Sequence, residues 1–255
     1  KFEFRAVGSS QNVSLPITVL NTAVASTFAE FVSRLKKQQA VSKESAVLEV
    51  TKEFINESKN IRFEGNGYSD EWKTEARKRG LSELLTTPAA LKAFGEKNEH
   101  AFLVNEKVLS QEEFDSVLHV QVERYSKKIM IEAICLMQMT KQHVLPAAFA
   151  AQQEFASSIK AVESLGEAMA SLSTQRLHLR GLTETMDKVF DASAVLKKNL
   201  EEAEALPEGF EQATCLANKV VTAMSELRKS LDKLEECVPD NHWSLPKYQE
   251  MLFVR

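Results

Sequence analysis

Lys1-Phe2-Glu3-Phe4-Arg5 opens the chain, and its reading decides whether the rest is a free-standing helical protein or part of a larger mixed fold. Charge and aromatic alternate strictly: Lys1, Glu3 and Arg5 against Phe2 and Phe4. A period of two is that of a β-strand, with the phenylalanines on one face and the charges on the other. At a rise of about 3.3 Å per residue, same-face neighbours stand roughly 6.5–7 Å apart. Glu3 and Arg5 would then face one cavity with room for about one small substrate between them. The competing reading is an edge strand whose charges meet water. The continuation sharpens the choice. Gly8-Ser9-Ser10 signals a turn, Asn12 is a good N-cap for the apolar segment after it, and Pro16 is tolerated in a first helical turn.

Strand, glycine turn, Asn cap and apolar helix, in this order, resemble the last catalytic strand and following helix of glutamine synthetases. That family carries a basic-x-Glu-x-Arg motif on the strand. The run Phe2-Glu3-Phe4-Arg5-Ala6-Val7-Gly8-Ser9-Ser10-Gln11-Asn12 resembles the type III branch. The family usually has Pro directly after the capping Asn. Here Val13 stands there and Pro16 comes three residues later, a departure that fits type III better than types I or II.

The wider composition narrows the alternatives. The 255 residues carry 32 basic and 36 acidic side chains, net charge −4, with no basic stripe interleaved with aromatics, which argues against nucleic acid as the main partner. No apolar run is expected to approach the ~18–20 residues of a membrane span; the longest, Ile129 to Met139, is interrupted by Glu132 and Gln138. No signal peptide is recognisable. Cys135, Cys215 and Cys237 are odd in number and widely spaced, which suggests reduced, buried or half-buried thiols in a cytosol-like compartment. Without a CxxC or a paired His, zinc is disfavoured. The chain opens in mid-strand rather than on Met and reads as a piece of something longer.

Eight glycines and six prolines in 255 residues leave a helical composition. A first helix is expected over 13–38, with Leu15, Val19, Ala23, Phe28 and Phe31 for its buried face and Arg34-Leu35-Lys36-Lys37 as a solvated basic end. A second is expected over 43–60. Gly65-Asn66-Gly67 then makes a tight turn, and Ser69 caps a helix from Asp70. The turn lacks the spacing of a phosphate loop; it is either a ligand-free turn or a loop lining a substrate cavity. Type III glutamine synthetases have a similar Gly-Asn-Gly-Tyr-Ser-x-Glu-Trp segment, which Gly65 to Trp72 resembles. This helix should stop at Arg79-Gly80. Thr87 is expected as the next N-cap, with Pro88 at the first helical position. Residues 99–109 are ambiguous, with Ala101 to Val104 a short strand or loop.

Ser110 and Glu113 form a capping box that opens a long helix to about His143. Its apolar face widens between Ile129 and Met139 to nearly the whole circumference, so the helix should be buried, with Glu132 a buried, paired carboxylate. Pro146 should kink or restart the helix. Beyond it three amphipathic helices are expected to pack as a bundle or hairpin, jointed at Gly181 and at Pro207-Glu208-Gly209. Their apolar faces are Phe155 to Leu172, Leu182 to Leu200, and Leu216 to Leu234. The tail, Asp240 to Tyr248 and on to Phe253, should dock on a neighbouring surface, its own or another subunit's.

The fold class expected is therefore mainly α. A short N-terminal β-strand belongs to a larger α+β glutamine synthetase catalytic domain, followed by helices and a C-terminal antiparallel helical bundle. Residues 1–145 read as the C-terminal part of that domain, 146–240 as a helical-bundle extension similar to that of type III enzymes, and 241–255 as a docking tail. The resemblance implies an ATP-dependent glutamate–ammonia ligase. It implies that Glu3 is one oxygen ligand of a Mg²⁺ or Mn²⁺ ion, that Arg5 is catalytic and grips an oxyanion of substrate, and that Lys1 sits near the nucleotide, where types I and II use Arg. It further implies glutamate, ammonia and ATP as ligands, identical subunits in stacked rings forming a dodecamer, and a cytoplasmic location, with neither nucleic acid nor membrane as partner. The remaining acidic ligands would lie upstream of residue 1, so this chain alone should be inactive. The alternative is a helical scaffold or oligomerisation module without catalytic activity.

Overall fold

A computed structural model describes residues 11–38, 42–166 and 172–252. The strand expected at Lys1 to Arg5 and the turn at Gly8 lie outside the described residues, as do Met169 and Phe253. Among the described residues the secondary structure is helical, with no strand. The chain divides into two compact units, Lys1–His119 and Val120–Arg255.

In the first unit α1 spans Ser14–Lys37 and α2 spans Lys43–Glu57, continued by a 3₁₀ turn over Ser58–Ile61. Asn12 works one residue further upstream than a standard cap: its Oδ1 accepts from the Ser14 N–H at 2.8 Å. Of the five residues expected to bury α1, Leu15, Val19, Ala23 and Phe31 are half-covered and Phe28 is 66% exposed. Only Thr22 is buried along the helix. Ser, Thr and Asn interleave the apolar residues of α1, which hides its length in the sequence. By length and composition it is long and apolar enough to cross a membrane, with a mean hydropathy of 1.3.

The basic end of α1 is not simply solvated. Arg34 grips Glu57 of α2 through two bonds of 2.6 and 3.0 Å and is also bonded to Glu30. Its guanidinium lies 4.6 Å from the centre of the Phe54 ring, which itself packs on Phe31. A bidentate fork of this kind is stronger and more directional than a single-point ion pair.

Three short helices follow, α3 (Asp70–Lys78), α4 (Thr87–Phe94) and α5 (Lys97–Asn105). The cap of α4 is Thr86, not Thr87: its side chain accepts from the Ala89 N–H at 3.4 Å, and Pro88 falls in the first turn. Residues 99–105, ambiguous in sequence, are helical. His100 and Leu103 are buried, and the His100 ring stacks on Phe114 at 3.8 Å between centroids. Nδ1 of His100 donates to the Phe94 carbonyl at 3.2 Å, which leaves Nε2 to accept from Gln111.

The capping box at Ser110 forms in both directions. Ser110 Oγ accepts from Glu113 N–H at 3.2 Å, and Glu113 Oε2 accepts from Ser110 N–H at 2.8 Å. It opens α6 (Gln111–Met139), whose residues from Val120 onward belong to the second unit. Only one face of that stretch is buried, through Val122, Ser126 and Ala133, while Ile131, Ile134 and Cys135 are exposed. Glu132 is therefore not a buried carboxylate. It is exposed, with Lys128 at 3.8 Å.

Pro146 does not stop the helix. Its ring would crowd the carbonyl of Gln142, four residues back, and it offers no N–H. The chain widens into a π turn over Thr140–Val144, in which the Leu145 N–H donates to the Thr140 carbonyl, and continues as α7 (Leu145–Glu163). Then α8 runs through Ser173–Glu204. Gly181 lies inside it, so the joint is not there. The break falls between α7 and α8, where Gly166 has φ +91°. Gly209, at φ +135°, breaks α8 from α9 (Phe210–Cys215) as expected, since side chains avoid that backbone region. A second π turn, Leu216–Val220, leads into α10 (Val221–Glu235).

Residue numbers rise along α8 as they fall along α7. Glu163 meets Arg176, Phe155 meets His178, Gln152 bonds Thr183 and Phe149 packs on Phe190. Along α8 and the segment leading into α10 the order is again reversed, Gln212 reaching Ala203 and Lys219 meeting Glu202 and Asn199. The two hairpins are antiparallel. They share a core of Leu182, Met186, Val189 and Leu196 with Leu216, Leu227, Leu231 and Leu234. Each such side chain removed from water contributes about 1.5–3 kcal/mol. Buried Gln212 closes the turn by donating to the Ala203 and Leu206 carbonyls, both at 3.3 Å.

The tail docks on its own chain. Trp243 and Leu245 pack against the bundle core, Ser244 Oγ lies 3.0 Å from His143 Nδ1, and His242 Nε2 lies 2.7 Å from Glu154. A short helix α11 (Tyr248–Leu252) ends the described chain, with Met251 and Leu252 exposed.

Candidate functional site

The residues singled out for chemistry, Lys1, Glu3 and Arg5, lie outside the described residues. What the structure places is the ground beside them, the start of α1 pinned by Asn12, and the second motif of the sequence, Phe63 to Trp72.

That second segment is rigid for identifiable reasons. Asn66 Oδ1 accepts from the Tyr68 N–H at 3.1 Å, and the Asn66 carbonyl accepts from Ser69 N–H at 3.2 Å, closing the turn. Ser69 Oγ then caps α3 by accepting from Trp72 N–H at 3.3 Å. Phe63 and Trp72 stack across the turn with centroids 4.1 Å apart. Gly65 is required by close approach: a Cβ there would meet Phe63 Cζ at 2.7 Å. Arg79, read in the sequence only as part of a helix stop, holds the base of the loop. It donates to the Arg62 carbonyl at 2.9 Å, pairs with Glu75 at 2.7 Å and lies over both Trp72 and Phe63. Two aromatics flanking a glycine turn, with an arginine one helix later, is the signal that could have found it.

The electrostatics follow from the partners. The Arg79 guanidinium holds the Glu75 carboxyl below the usual range, and Lys73 does the same to Asp70. Glu71 is lowered by its own backbone N–H and by the Ser69 hydroxyl at the helix start. All three carboxylates are therefore ionised at neutral pH. The arrangement presents Tyr68, 82% exposed, on a fixed loop above the N-terminus of α3. The N–H groups of Tyr68, Ser69 and Trp72 are spent inside the turn, and the loop pairs no nucleophile with a base among the described residues.

Among the described residues no group of three or more His, Cys, Asp or Glu side chains could hold a metal ion. The three thiols are free; Cys135 is exposed, against expectation, and Cys215 and Cys237 are half-buried.

Residues 46–163 match the family described as glutamine synthetase C-terminal domain. Over that stretch the chain is similar to the glutamine synthetase family. Within it, the whole chain is 35% identical over 260 residues to the type-3 glutamine synthetase of Dictyostelium discoideum, and 32% identical over 263 residues to a glutamine synthetase of Bacteroides fragilis (strain YCH46). A glutamine synthetase of Butyrivibrio fibrisolvens is 31% identical over 209 residues, 81% of the chain. The chain corresponds to a C-terminal portion of the type III kind. It spans 35%, 36% and 29% of these three proteins, about a third of their length.

Proposed function

We propose that the chain is the C-terminal portion of an ATP-dependent glutamate–ammonia ligase and makes glutamine only within the complete polypeptide. The observation that carries this is similarity along the entire chain, at 35% identity, to a protein named type-3 glutamine synthetase. The largely uncovered apolar face of α1 supports it, because such a face implies further protein against it.

In this reading Glu3 supplies one oxygen ligand to a Mg²⁺ or Mn²⁺ ion, and hard cations favour carboxylate. When bound, the ion neutralises charge on the nucleotide phosphates as the γ-phosphoryl group moves. Arg5 holds an oxyanion of glutamate or of the transferring phosphate by charge-assisted bonds. Lys1 contributes a single positive charge near ATP. The Gly65–Trp72 loop, held by Arg79 and Asn66, would line the substrate cavity with Tyr68. Residues 1–145 complete the catalytic domain, 146–240 form the bundle extension and 241–255 the docking tail. The enzyme is cytoplasmic and works as identical subunits in stacked rings, a dodecamer.

The test is Glu3→Gln in the complete enzyme. Divalent-dependent formation of γ-glutamyl hydroxamate should be abolished while sedimentation stays that of the parent. Normal turnover in this variant would sink the assigned role. Hydroxamate made by the isolated 255-residue chain would sink its dependence on the rest of the polypeptide.

A further inference from the structure

We propose that the outward face of α6, from Val120 to Ile134, pairs antiparallel with the same face of a second copy of this chain, Arg124 of each copy meeting Glu132 of the other. This rests on the reading that the protein works among identical copies, and it is independent of the ligase chemistry.

The face is defined by spacing and exposure. Val120, Arg124, Lys127, Ile131 and Ile134 recur every three or four residues, the seam of a helix that packs on another helix. Val120 is 51% exposed, Ile131 60% and Ile134 38%, although the opposite side of the helix, Val122, Ser126 and Ala133, is buried. Val120, Arg124, Lys127 and Ile131 of the stripe, with Glu123, Lys128 and Glu132 beside them, line an open depression of about 630 Å³. The apolar part of the stripe asks for a covering surface, and the charges say which one.

Lys127 is bonded to Glu123. Glu132 is held loosely, with Lys128 at 3.8 Å, and Arg124 has no ion pair among the described residues. One free guanidinium and one weakly held carboxylate therefore stand two helical turns apart on the same side of one stripe. A purely apolar partner would strand Arg124 out of water without a counter-charge, at a cost. A parallel copy would oppose Arg124 to Arg124. An antiparallel copy related by a two-fold axis near Lys128 brings each Arg124 against the other copy's Glu132, because both residues lie four positions from the axis. In such an isologous contact one favourable pair is made twice. The apolar residues are covered at the same time. One helix face is smaller than the roughly 800 Å² per partner of a standard interface, so the contact belongs within a larger assembly.

The test uses charge reversal in the complete enzyme, read as assembly mass by sedimentation velocity. Arg124→Glu alone and Glu132→Arg alone each place like charges across the two-fold, and each should lower the mass of the largest assembly about two-fold. Co-expressing the two single variants should restore the parent mass, because each then meets its opposite charge. The double variant in one chain should do the same. Both side chains are exposed, so the fold should tolerate the changes. Single variants that assemble like the parent would overturn the proposal, since another segment or partner then covers this face. Loss of assembly without recovery on co-expression or in the double variant would also overturn it. A parent enzyme that is monomeric would remove the homo-oligomer reading as well.

Discussion

Both α1 and α10 read as amphipathic helices, yet they end in opposite situations. Along α10, Ala223, Leu227, Leu231 and Leu234 are all buried against α8 and its neighbours. Along α1, Ile17, Val24, Phe28 and Val32 recur at helical spacing and are all exposed. The same pattern is thus satisfied within the chain in one unit and left open in the other. Apolar periodicity states that a face must be covered; it does not state by what.

The sharpest way to break this contrast is to truncate one residue from each helix. Leu227 is 0% exposed, and Leu227→Ala should cost about 2–5 kcal/mol of the second unit's stability in urea unfolding. Phe28→Ala in the same 255-residue chain should cost less than about 0.5 kcal/mol. In the complete enzyme, where the face of α1 is proposed to be covered, Phe28→Ala should cost about 3–5 kcal/mol. A Phe28 variant equally mild in both settings would mean that nothing covers α1.

The ionic link between α1 and α2 gives a smaller and pH-dependent effect. Arg34 holds the Glu57 carboxyl below its ordinary range, chiefly by their hydrogen bonds. A depressed carboxyl contributes stability above its unfolded value, near 4.5, and loses it as pH falls through the folded value. The raised Arg34 guanidinium stays charged throughout this range. Arg34→Ala should therefore lower the first unit's melting temperature at pH 7, and the gap from the parent should close as the pH is taken below 3. A gap of constant size would assign the effect to the stacking of Arg34 on Phe54 instead.

Local chemistry was the legible part of the sequence. Ser69 and the Ser110–Glu113 box cap helices where their residue types say they should, and Gly209 breaks the chain where only glycine fits comfortably. What failed were inferences that depend on partners. Gly181 reads as a joint because glycine is a poor helix former, yet an exposed one costs only about 1 kcal/mol, which a long packed helix absorbs. Ile129 to Met139 reads as buried all round because pattern counts apolar residues without counting neighbours. Arg34 reads as a solvated end because its carboxylate partner lies 23 residues away. The proposed site rests on resemblance rather than physics: alternation predicts one shared face for Glu3 and Arg5, only the family likeness suggests roles for them, and both lie outside the described residues.

The smallest effect probes the well-packed side of the contrast. Ser126 is buried on α6, and its hydroxyl has no hydrogen-bond partner among the described residues. A helical Ser usually returns its hydroxyl to the carbonyl four residues back, as Thr140 does to Leu136 at 2.7 Å. An unpaired buried hydroxyl carries its desolvation cost without compensation. Ser126→Ala removes that group and leaves a void of about one oxygen atom, so the second unit should gain about 1 kcal/mol in urea unfolding. Exposed Ser33 on α1 has no such cost to recover, and Ser33→Ala should stay within about 0.5 kcal/mol of the parent. A loss on Ser126→Ala would show that the hydroxyl has a partner in solution and that the bundle interior is more polar than its packing indicates.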